Sequence, residues 1–141
     1  MHDQYNLQRF VTAQEPVYRR VREELRRGRK TSHWMWFIFP QLSALGRSPT
    51  AKIYGISSLD EARAYSAHPL LGERLRECTV LVCSAPDASI KRILGYPDYL
   101  KFRSSMTLFA NATDDNQVFI GALERFYKGE PDPATLELIQ F

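Results

Sequence analysis

The chain has 141 residues, of which 44% are apolar and 25% charged, and a formal net charge of +3. A domain takes about 100 to 200 residues, and a chain of this size buries roughly two thirds of its unfolded surface. One hydrophobic core is therefore expected, and a disordered chain is excluded by these proportions. So is a membrane-spanning helix: the longest apolar run, residues 34–39, is six long where about 20 are needed.

Residues 7–15 read as a short helix, and Pro16 fits the first turn of the next, where its missing N–H costs little. There Val17, Val21 and Leu25 recur every four residues with Tyr18 beside them, arginines take the other faces, and Gly28 ends the helix as a left-handed cap. Residues 33–39, HWMWFIF, form a continuous apolar run of the kind assigned to a buried strand. No second convincing strand exists to pair with it, so it is expected to be a buried helical or irregular segment ended by Pro40.

Ser48 before Pro49 starts a short helix that Gly55 closes. Ser58 with Glu61 forms a capping box for a helix that stops at His68, before Pro69. Leu71, Leu75, Cys78 and Val82 then step by four, three and four, the period of a core-facing helix. Ser89 opens a turn ended by Gly95. Pro97 leads into a longer helix in which Leu100, Phe102, Met106, Leu108 and Phe109 point most ways round, so it should be largely buried. Thr113 or Asp115 caps the next helix, where Phe119, Leu123 and Phe126 share a face and Gly129 stops it. Asp132 and Pro133 start the last. The expectation is an all-α fold: a single compact globular domain of several short helices over residues 1–141.

The phrase GRKTSHWMWFIFPQLSALGRSP, with FVTAQEPVY before it and YGISSLDEARAYSAHPLLGERLRECT and ILGYPDYLKFRSSMTLFA after it, resembles a bacterial domain-of-unknown-function family, number 1810, over nearly the whole chain. The resemblance implies an all-helical globular fold and carries no activity and no site residues with it. Members have borne a calpastatin-like label, which does not suit this chain: calpastatin is disordered, and this composition is that of a folded core.

Two groups of residues have the chemistry of a site. Lys30, His33, Trp34, Trp36 and Gln41 offer flat indole faces, an imidazole and an ammonium, which suit a planar ring and a phosphate. The same tryptophans also fit a core, with His33 bonded to a backbone carbonyl. Asp98, Lys101, Arg103, Ser104, Ser105 and Thr107 form a polar series in an apolar helix, with Asp98, Lys101 and Ser105 on one face. Their hydroxyls either line a pocket or bond back to the preceding turn and allow close packing. Where the two groups meet, a small-molecule pocket for a nucleotide-like ligand is expected. His33, Asp98 and Lys101 are its candidate catalytic groups, and no cofactor is implied.

Other features point less far. Residues 19–30 hold seven cations against Glu23 and Glu24, so a protein- or RNA-binding module using the basic helix 17–30 is the alternative, although no recognised nucleic-acid module supports it. The oligomeric state is left open. His2, His33 and His68 have no ligand spacing with Cys78 and Cys83, so no metal site is expected. Both cysteines read as packed, reduced thiols and His68 as a terminator complementing a helix C-terminus. With no secretory signal in MHDQYNLQRF and no membrane partner implied, a cytoplasmic location is expected.

Overall fold

The computed structural model describes residues 3–87 and 89–139, which leaves His2 outside it. The described residues form ten α-helices: α1 (Gln8–Gln14), α2 (Tyr18–Arg26), α3 (Met35–Ile38), α4 (Pro49–Ile53), α5 (Leu59–Ala67), α6 (Leu71–Cys83), α7 (Ile90–Leu94), α8 (Asp98–Ala112), α9 (Gln117–Tyr127) and α10 (Pro133–Ile139). Among them there is no strand, only an isolated parallel bridge between Leu42 and Ile56. The fold is all-helical.

Local chemistry sets most of the boundaries. Ser48, Ser58 and Ser89 each accept the amide of the residue three positions on, as side-chain caps do. Asp132 accepts from the Thr135 amide at 3.2 Å. Gly28, at φ +76°, closes α2: its amide reaches the Leu25 carbonyl and that of Arg29 the Glu24 carbonyl, the paired bonds of a Schellman motif. Gly55 is needed for proximity, because a Cβ there would lie 2.4 Å from that of Ser43.

Four expectations need correction. Pro16 sits in a turn before α2, not in its first turn, because the Val17 amide bonds back to Gln14 and the helix begins at Tyr18. Ser58 caps α5 as a capping box requires, but Glu61 returns to the Ser57 amide and hydroxyl instead of Ser58. The second Glu61 oxygen meets Arg9 at 2.9 Å, so this buried carboxylate joins α1 to α5. His68 faces the next helix and not the end of α5: its Nδ1 accepts from the Leu70 and Leu71 amides and so serves the start of α6. Neither Thr113 nor Asp115 caps α9, which begins after Asn116 without a side-chain cap; the Thr113 hydroxyl accepts from the Asp115 amide within the preceding turn.

Helices α5, α6, α9 and α8 each pack on the next and close a ring, with α2 against α6, and α7 and α10 against α8. The ring is filled by Tyr65, Phe102, Phe109 and Phe119, all fully buried. Burying each such side chain stabilises the fold by about 2 to 3 kcal/mol. The Phe39 ring meets Phe102 edge-on, with centroids 4.9 Å apart, and this contact seats the tryptophan-rich segment against the first turns of α8. As the absence of partner strands implied, that segment is a buried helical turn, α3, with Trp34 just ahead of it.

Candidate functional site

Three constraints shape the chain between α2 and α3. The Schellman closure turns it after Arg27. The Lys30 amide then donates to the Ile93 carbonyl of α7 at 2.7 Å. Finally Glu24, itself buried on α2, accepts from the Thr31 and Ser32 amides at 2.7 and 3.0 Å, from the Ser32 hydroxyl and from Trp34 Nε1 at 3.0 Å. Burial pushes the Glu24 carboxyl up, but the donors from Ser32, Thr31 and Trp34 outweigh it and hold the group down at about 2.

So fixed, this segment forms one wall of a cleft of about 380 Å³ whose other wall is the start of α8. Lys30, His33, Trp36, Tyr96, Asp98 and Lys101 line it. Lys30 Nζ lies 2.7 Å from Asp98 Oδ2, and both side chains are mostly shielded from water. Asp98 Oδ1 lies 3.9 Å from the Lys101 ammonium and has no hydrogen-bond donor among the described residues. Asp98 occupies the first turn of α8, where a carboxylate is favoured by the helix dipole. Lys101 Nζ also stands 5.6 Å from the centre of the Trp36 ring, within cation–π range. Trp36 is half-buried in the wall, while His33 and Tyr96 are exposed at its edge.

The sequence candidates thus divide. Lys30, His33, Trp36, Asp98 and Lys101 come together although more than 60 residues separate the two segments. Gln41 lies next door, in a small slot shared with Trp36, Lys101 and Tyr54. Trp34 is buried in the core beneath the Lys30 ammonium, with its N–H on Glu24. Ser105 is fully buried one turn below Lys101, and its Oγ has no hydrogen-bond partner among the described residues. The hydroxyls of Ser104 and Thr107 bond back to Leu100 and Arg103 and also hold Asp132, and the Arg103 guanidinium reaches the Glu130 carbonyl at 3.0 Å. These three tie α8 to the start of α10.

The remaining candidates sit elsewhere. Burial pushes the Cys78 thiol up to about 12, despite its contact with Tyr18, and that suits a packing group, not a nucleophile. Among the described residues no three His, Cys, Asp or Glu side chains could hold a metal ion. On α2, Arg22 turns inward to Glu77 at 3.5 Å, whereas Arg19, Arg20 and Arg26, and Arg27 just after the helix, are exposed. Two contributors gave no usable sequence signal. Glu24 read as a counter-charge in a basic helix, and Tyr96 was hidden beside Pro97, to which it is joined by a cis peptide bond.

The fold and cleft together define an all-helical, single-ring domain with a polar cleft at the head of its longest helix. Over residues 4–139 the chain matches the family described as "Protein of unknown function (DUF1810)", and it belongs to that family. It is similar to the conserved hypothetical protein Rv1873 of Mycobacterium tuberculosis, known from a crystal structure. Identity is 59%, with 97% of this chain and 98% of that one covered, and the TM-score is 0.96. A comparison with curated proteins gives no match. Among the described residues no helix is long and apolar enough to cross a membrane.

Proposed function

We propose that the cleft between residues 30–36 and the first turn of α8 binds a planar, phosphorylated small molecule of nucleotide type. The observation that carries this reading is the convergence of Lys30, Trp36, Asp98 and Lys101 on one cavity, with His33 at its edge. Its volume is at the small end of the roughly 300 to 1,000 Å³ typical of ligand pockets. Trp36 supplies the flat face. Lys101 now lies over that face, so a base stacking on the indole displaces the ammonium toward the ligand's phosphate. Among the described residues one Asp98 oxygen has no close donor, so it is ready to accept a ligand hydroxyl or N–H, and a proton-transfer role would fall to it and to His33. A cytoplasmic location is part of this reading and draws support from the two unpaired thiols.

Thermal unfolding in the presence of nucleotides, dinucleotides and sugar phosphates tests it. A ligand at 100 times its dissociation constant adds about 2.7 kcal/mol, which raises Tm by several degrees in a chain of this size. The rise should vanish in Trp36→Ala and Lys101→Met proteins that unfold at the unliganded temperature. If no phosphorylated ring compound moves Tm, the cleft is not a nucleotide site.

A further inference from the structure

The positive charge of this region continues past the mouth of the cleft. Arg29 precedes Lys30, whose amide is bonded to Ile93, so the chain just after α2 meets the short α7. From α7 come Lys91 and Arg92. Lys91 Nζ stands 5.3 Å from the centre of the Tyr99 ring, that ring is 6.1 Å from Tyr96, and Tyr96 is both a lining residue and 80% exposed. Arg92 is engaged by Asp87 at 2.7 Å, and the charge of Arg29 bears on the same carboxylate. Arg26, Arg27, Arg29 and Lys91 are exposed, and none forms an ion pair among the described residues.

Inside the cleft the balance differs. Asp98 offsets Lys30, which leaves Lys101 as the surplus cation, sufficient for one phosphoryl group. The cavity, at about 380 Å³, is small for a ligand site. A strip of unpaired cations leading away from it therefore matches a ligand whose negative charge extends beyond the cavity. Resting on the reading of the cleft above, we infer that its ligand is a nucleotide with two or more phosphates. The nucleoside and first phosphate lie in the cleft, at Trp36 and Lys101, and the later phosphates pass the Tyr96 edge to Lys91 and Arg29. A nucleoside polyphosphate and a phosphorylated RNA end share this chemistry.

Calorimetric titration of the full chain with the 5′-mono-, di- and triphosphates of the four common nucleosides, and with a short 5′-phosphorylated RNA, tests the inference. The expected result is binding of at least one nucleoside series, with affinity rising about tenfold or more from mono- to triphosphate and falling as salt is raised. In a protein carrying Arg29→Gln and Lys91→Gln, both exposed positions, the ratio of mono- to triphosphate dissociation constants should collapse to about twofold. RNA binding tighter than the triphosphate, with a steeper salt dependence, identifies the strand end as the source; the reverse order identifies the free nucleotide. Equal affinity for all three phosphate lengths, or an unchanged ratio in the double variant, overturns the outer path while the cleft reading stands. No binding by any of these compounds overturns both.

Discussion

Two carboxylates hold the segment between α2 and α3, and they do so in opposite ways. Glu24 is buried and accepts four hydrogen bonds from three consecutive parts of the segment: Thr31, Ser32 and Trp34. Asp98 grips Lys30 with one oxygen and leaves the other at 3.9 Å from Lys101, facing an open cleft. A buried carboxylate that already accepts four donors serves the fold. One with acceptor capacity left over at the solvent boundary still has something to offer a ligand. Proximity and charge alone do not separate these cases; the count of donors does.

The sharpest way to test that distinction is Glu24→Leu, which strands the four donors. Each buried unsatisfied group costs about 1 to 3 kcal/mol, so a total of at least about 4 kcal/mol and a Tm drop of about 10 °C or more are expected by calorimetry. A drop under about 2 °C would mean that Glu24 does not hold the loop. Acid should act through the same carboxylate. Its folded value, about 2, lies below the ordinary 4.5, so its stabilisation is complete above that range and drains away as pH falls from about 4.5 to 2. Denaturant midpoints of the natural chain should therefore decline across that window, and those of Glu24→Gln should decline less; parallel curves would contradict the assignment.

Asp98→Asn is expected to be milder for the fold. The amide oxygen still accepts from Lys30, so the loss should be about 1 to 2 kcal/mol, read as a denaturant midpoint, while the ligand-induced Tm rise disappears. If the ligand response survives intact, Asp98 belongs with Glu24 as a structural group. The smallest effect is reserved for Ser105→Ala. Removing a buried hydroxyl that has no partner among the described residues should leave stability unchanged or raise it by up to about 1 kcal/mol. A loss above about 1 kcal/mol would reveal an unseen partner for that oxygen.

Much of the architecture was legible because it is written locally. The caps at Ser48, Ser58, Ser89 and Asp132 and the turn at Gly28 depend on residues within a few positions of one another. Period alone misled on residues 33–39, and only the lack of a partner strand corrected it. What remained illegible depends on contacts across the fold. Glu61 was drawn to Ser57 and Arg9, and His68 turned to the amides of the next helix. The cleft was half legible: residue chemistry proposed the meeting of Lys30 with Asp98, but the same chemistry gave Trp34 and Trp36 equal standing. The structure distinguishes them: the Trp34 N–H donates to a buried carboxylate in the core, while Trp36 is half-buried in the cleft wall.

That difference gives the molecule two built-in optical reporters. The chain has two tryptophans; one is sealed in the core on Glu24, and the other stands in the cleft wall under a lysine ammonium. Emission from Trp34 should stay constant until the core opens, whereas Trp36 should respond to whatever enters the cleft and to a soluble quencher. With Trp34→Phe or Trp36→Phe as the blank for the other, intrinsic fluorescence separates occupancy from unfolding in a single unlabelled sample.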